Sequence, residues 1–111
     1  MAIKALRTVS KKTVVKTIAE RNGMPTGDAA RIVQAFLDQI ITTLSEGHRI
    51  EFREFGIFEP KIRQARRGRN PKTGDPVDVP EKAVVSFKPG KSMKERVEDV
   101  HQRINDLQVK P

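Results

Sequence analysis

The chain has no cysteine, no tryptophan and no tyrosine, and only five phenylalanines and two histidines among its 111 residues. Without cysteine there is neither a disulfide nor a cysteine-based zinc site. His48 and His101 stand far apart and form no metal-like cluster, so they read as ordinary surface histidines and no cofactor or metal is expected. Missing Tyr and Trp leave few rings for stacking bases, which argues against a single-strand or RNA reader of the usual aromatic kind. No apolar run approaches the roughly 18 residues of a membrane span. Nor does a signal-peptide core appear near the start, and a soluble cytoplasmic protein is expected. Catalytic patterns are absent as well: there is no nucleophile with a histidine partner and no phosphate-cradling loop. The carboxylates Asp75, Asp78 and Glu81 lie among basic residues, where they balance charge. The expectation is a binding protein, not an enzyme, with no small-molecule substrate.

What is present is positive charge. Twenty-two Lys and Arg oppose 14 Asp and Glu, giving a formal charge of +8 and a pI near 10.2. Such a balance calls for a polyanionic partner, either nucleic acid or an acidic membrane surface. A chain this long forms one domain near the lower end of what buries a self-sufficient core.

The charge is concentrated between Lys61 and Gly74, in Lys61-Ile62-Arg63-Gln64-Ala65-Arg66-Arg67-Gly68-Arg69-Asn70-Pro71-Lys72-Thr73-Gly74. No carboxylate interrupts Lys61, Arg63, Arg66, Arg67, Arg69 and Lys72. Asn suits the first position of a type I turn, Pro the second, and the trailing Gly takes the left-handed conformation. With a strand-like run before it and alternating Val77 and Val79 after it, the stretch is a hairpin with a cationic stem and Pro71 at its tip. A solvated basic loop is the plainer reading. Arg-rich flanks suit the narrow, negative minor groove, and an apolar wedge at the tip can part stacked base pairs.

Elsewhere the period changes along the chain. Ser10 can cap a first helix carrying Val14, Val15, Ile18 and Ala19 on one face, ended by Asn22-Gly23. After Pro25-Thr26-Gly27, with Thr26 a candidate cap, a second helix runs to about Ser45, and Gly47 stops it. Its stripe of Ile32, Val33, Phe36, Leu37, Ile40, Ile41 and Leu44 is wider than one short helix can cover, which predicts a dimer interface. From Arg49 apolar residues alternate by two through Ile50, Phe52, Phe58 and Ile62, with a bend at Phe55-Gly56. Pro60 removes a ladder donor and belongs at an edge, a bulge or the root of the hairpin. Ser92 to Glu95 reads as a capping box opening a third helix whose free N–H groups offer a phosphate seat. Met93, Val97, Val100, Ile104 and Leu107 continue that helix as an apolar seam, docked on its own body or on a partner.

Three stretches, Glu54-Phe55-Gly56-Ile57-Phe58, Gly68-Arg69-Asn70-Pro71-Lys72-Thr73-Gly74 and Phe87-Lys88-Pro89-Gly90-Lys91, occur in an order and spacing that resembles the bacterial HU and integration host factor family. The resemblance covers roughly Ser10 to Val100. It implies an α+β fold in which two chains intertwine their helices and raise two long β-hairpin arms. It also implies an architectural protein of the nucleoid that bends double-stranded DNA through the minor groove, with Pro71 intercalating. On this basis residues 10–100 form the DNA-binding domain, with an arm at about 62–79. Residues 1–9 are a flexible basic extension and 101–111 a helical one. Arm contacts fall to Lys61, Arg63, Arg66, Arg67, Arg69, Asn70, Pro71 and Lys72. Body contacts fall to Lys11, Lys12, Arg53, Lys88, Lys91 and Lys94. Glu51 and Arg53 look like the base-reading pair of a site-selective integration host factor subunit, which works with a paralogous chain; a cross-strand ion pair is the competing reading. The partner chain is a second copy or that paralogue. An RNA-binding protein and a basic protein-interaction scaffold remain as readings outside this class.

Overall fold

The computed structural model describes residues 6–108, with side chains to residue 106. Two helices come first. α1 (Lys11–Arg21) begins at Ser10, whose hydroxyl accepts the Thr13 N–H at 3.4 Å. It ends where the Asn22 amide and side chain both bond to the Ile18 carbonyl, and Gly23 follows at φ +59°. α2 (Thr26–Ser45) is 20 residues long. Its cap is Pro25, in extended conformation and without a side-chain bond, so Thr26 is the first helical residue and not the expected cap. Val15 and Ala19 of α1 close against Ala29 of α2, with Ile18, Met24, Ala30 and Val33 packed around them. This small knot is the buried core of a single chain.

Strands β1 (Ile50–Phe52), β2 (Gly56–Arg63) and β5 (Lys82–Pro89) form an antiparallel sheet in the order β1-β2-β5. β3 (Arg66–Arg69) and β4 (Pro76–Val79) pair only with each other. They continue the β2 and β5 directions as a hairpin arm, with pairing interrupted at 64–65 and 80–81. Pro60 lies beyond the last β1–β2 pair, Ile50 with Phe58, so β2 has a neighbour on one side only at that point. The edge position expected for a residue without an N–H is thus available to it.

Residues directly opposite in an antiparallel pair share a face. One face of the sheet therefore carries Phe52, Phe58, Pro60, Ile62, Ala83, Val85 and Phe87. Phe58 and Phe87 rings meet at 4.7 Å, Phe52 joins Phe58 at 6.2 Å, and Phe36 of α2 reaches Phe52 at 5.5 Å. Even so, this surface stays wet in one chain: Phe36 is 52% exposed, Ile41 64%, Ile62 64% and Val85 61%. A cavity of about 410 Å³ opens among Phe36, Leu37, Ile40, Phe52, Phe55 and Phe58. So much exposed apolar surface in one band marks an interaction face.

The turn between β1 and β2 is locked to the start of α3 (Lys91–Val97). Gly90 N–H donates to the Phe55 carbonyl at 2.7 Å, and Ser92 N–H to the Glu54 carbonyl at 3.0 Å. A Cβ on Gly90 would stand 2.7 Å from the Glu54 carbonyl, which is why glycine occupies the contact. Glu54 itself sits at φ +72°. The expected capping box does not form. Gly90 is the cap, and the Ser92 hydroxyl donates to the Glu54 carboxylate at 3.0 Å instead. Nor is the last segment one lengthened helix: helical structure breaks at Glu98–Asp99 and resumes as α4 (Val100–Gln108). Ile104 is 5% exposed, whereas Val97 is 51% exposed; the Leu107 side chain lies outside the described residues. Of the expected N-terminal extension, residues 1–5 also lie outside them, and Leu6 to Val9 are exposed without helix or strand.

Candidate nucleic-acid interface

The same pairing that makes one face of the sheet apolar makes the other cationic. Lys61, Arg63, Lys82 and Lys88 fall on it, together with Ile57, Glu59, Val84 and Ser86. Arg63 stands directly opposite Lys82. Like charges in that position repel, and a bound polyanion removes the penalty. Lys82 was absent from the residues picked out of the sequence, because only the strand register places it beside Arg63. Lys88 lies on this face four pairs nearer the body than Val84, opposite Ile57.

Toward its tip the arm is held by its own polar groups. Asn70 N–H donates to the Asp75 carbonyl at 2.9 Å, and Gly74 N–H returns to the Asn70 carbonyl at 2.7 Å. The Asn70 side-chain oxygen accepts the Lys72 N–H at 2.8 Å and the Thr73 N–H at 3.4 Å. Such a side-chain turn is the reason Asn suits the position. Gly74 takes φ +77°, as the sequence requires of the residue closing the loop. Arg69 donates to the Gly74 carbonyl at 2.8 Å and so braces the loop from the stem. Pro71 is exposed at the second position, with no N–H and nothing for its ring to bond.

Within the stem Arg67 pairs across the strands with Asp78 at 3.5 Å, an exposed contact worth under about 1 kcal/mol. Among the described residues, no ion pair engages Lys61, Arg63, Arg66 or Lys72. On the body, Lys11 bonds to Gln34 while Lys12 lies exposed on the first turn of α1. Lys91 and Lys94 are exposed on α3. The phosphate seat expected there is partly taken, since Glu54 accepts both the Ser92 amide and its hydroxyl. Glu51 approaches Arg49 at 3.9 Å, while Arg53 lines a separate cavity of about 520 Å³ with Phe55, Met93 and Arg96. Glu51 and Arg53 are therefore not brought together.

A protruding ribbon with a cationic stem, a braced proline tip and a basic sheet face at its root can track a groove and seat phosphates. A family model described as bacterial DNA-binding protein matches residues 9–98. The chain belongs to that family. It is similar to the DNA-binding protein HU of Geobacillus stearothermophilus, with 38% identity over 89 residues, covering 80% of this chain and 99% of that protein. The DNA-binding protein HU of Bacillus caldolyticus matches equally well, at 38% over the same shares. Among solved structures, HU of Anabaena in a cocrystal with DNA superposes with a TM-score of 0.75 at 35% identity, covering 80% of this chain and 97% of the other. An HU mutant from Thermotoga maritima gives 0.60 at 27% identity, over 80% and 99%. The α+β architecture with its hairpin arm is therefore that of the HU structures. Residues 99–111, including all of α4, lie beyond the family match.

Proposed function

We propose that the chain is an HU-like architectural protein of the bacterial nucleoid that bends double-stranded DNA by laying its arms in the minor groove and wedging Pro71 between base pairs. The observation that carries this reading is the tip: a loop braced by Asn70 and Arg69 that presents an exposed proline ring beyond a cationic stem. Two chains act together. The apolar band of Phe36, Ile41, Ile62 and Val85 closes against a second copy, intertwining the bodies and setting two arms on one assembly. Lys61, Arg63, Lys82 and Lys88 then seat phosphates along the sheet and position the duplex without reading its sequence. Parting a base step costs on the order of a few kcal/mol, and the bend offsets it by bringing more phosphate to Lys and Arg. Because Glu51 meets Arg49 and not Arg53, the shape-based HU reading is favoured over a site-selective subunit.

The test is Pro71→Ala, which keeps every charge and shrinks the wedge. Bending of a short linear duplex, read by end-to-end energy transfer, should drop. Affinity for linear DNA should fall, and affinity for nicked DNA much less, because unstacking at a nick is already largely done. A variant that bends linear DNA as the parent does would remove the wedge from the mechanism.

A further inference from the structure

The arm has two chemically different faces. Its register places Arg66 opposite Val79 and Gly68 opposite Val77, so these four share one face. Arg67 opposite Asp78 and Arg69 opposite Pro76 make the other. Side-chain packing bears this out. A Cβ built on Gly68 would lie 3.3 Å from Val79 Cγ2, 3.9 Å from Val77 Cγ2 and 3.7 Å from the Arg66 guanidinium. Two valines and one arginine thus fold over the bare glycine and make a low, largely apolar surface with a single cation at its edge. On the reverse face Arg67 is held by the Asp78 carboxylate, and Arg69 is committed to the Gly74 carbonyl.

We infer that the arm enters the groove on the Arg66–Gly68–Val77–Val79 face and turns the Arg67–Asp78 face to solvent. This rests on the minor-groove reading above and adds which residues touch the DNA. Minor-groove walls are the apolar edges of deoxyribose and its floor is a row of acceptors at strongly negative potential. Valine methyls suit the walls, and a glycine lets the ribbon approach closely. Arg66 supplies the one charge that the floor attracts. Asp78 on the inner face would carry a carboxylate into that same potential, where like charges facing across an interface are costly. Arg66 is then the groove-entering cation, while Arg67 and Arg69 keep the ribbon in shape.

The absence of cysteine makes the test clean. Val77→Cys and Pro76→Cys place a unique thiol on either face without changing any charge. Each full-length variant is coupled to an iron–EDTA probe, bound to a short A·T-rich duplex, and assayed for strand cutting. The Val77→Cys conjugate should cut several-fold more strongly than the Pro76→Cys conjugate, with the offset between strands that minor-groove attack gives. Alongside it, Arg66→Ala should lose about tenfold in affinity, in line with one groove-floor contact, and Arg67→Ala about threefold or less, as an exposed pair allows. Equal cutting from both faces, or stronger cutting from the Pro76→Cys conjugate, overturns the inference and leaves the arm in the groove. No cutting from either, with DNA still bound, overturns the minor-groove reading and this inference with it.

Discussion

Phe36 is the most direct handle on the dimer. It sits in the middle of α2, reaches Phe52 of the sheet at 5.5 Å, lines the 410 Å³ cavity, and still leaves 52% of its surface exposed in one chain. Burying a whole phenylalanine side chain contributes about 1.5–3 kcal/mol, so covering the exposed half contributes about 1 kcal/mol per chain. A symmetric dimer contains the residue twice, and Phe36→Ala should weaken association by about 2 kcal/mol, or about 30-fold in the dimer dissociation constant. Sedimentation equilibrium over a dilution series reads that shift. Because a dimer gains stability by mass action, the parent Tm should rise with protein concentration, and the variant should reach the same Tm only at higher concentration. Arg31→Ala is the control on the same helix. Its side chain is 76% exposed and pairs only with Asp28, so its effect should stay within about 0.5 kcal/mol. If Phe36→Ala leaves the dissociation constant unchanged, or if the parent is a folded monomer at micromolar concentration, the apolar band is not the interface.

Two further outcomes follow from the geometry. A Cβ on Gly56 would stand 2.6 Å from the Phe87 ring and 2.8 Å from the Lys88 carbonyl, so Gly56→Ala should lose about 1–3 kcal/mol in denaturant unfolding; an unchanged midpoint would mean that the Phe87 ring moves aside freely. Lys88→Ala with Lys91→Ala should flatten the dependence of log affinity on log salt by about 1.8, at roughly 0.9 per phosphate contact. A slope that does not move would place the body contacts on other residues.

Much of this was legible in the residues alone because the signals were local. Ser10 caps α1, Gly23 and Gly47 adopt the left-handed conformations that end the first two helices, and Asn70 through Gly74 build the tip from their own side chains and backbone. The misreadings all come from partners distant in sequence. Ser92 and Glu95 have the spacing of a capping box, yet Glu54, 38 residues earlier, takes the Ser92 hydroxyl. Thr26 has the better capping side chain, but the chain enters α2 through Pro25, whose fixed φ already suits the entry. No glycine or proline announces the break at Glu98–Asp99, and nothing about Glu54 announces φ +72°. Lys82 and the two faces of the arm depend on register, which composition does not reveal.

The interrupted pairing at the root of the arm bears on how a bend is imposed. Backbone bonding runs from Gly56 to Arg63 in the sheet and resumes at Arg66, leaving 64–65 and 80–81 without ladder bonds. A ribbon joined to its body through two unpaired residues on each strand transmits little torque, so the arm alone cannot hold DNA at an angle. What it can do is find a step and open it, which needs only a rigid tip, and the tip is the best-braced part of the ribbon. The direction of the bend must then come from phosphates drawn onto Lys61, Arg63, Lys82 and Lys88, whose positions are fixed by eight consecutive pairs between β2 and β5. Kinking and bending are thus separate tasks, the first mechanical and nearly indifferent to salt, the second electrostatic and strongly weakened by it. An assembly built this way binds pre-kinked DNA even when salt has weakened the body's contacts, and needs both parts to deform a straight duplex.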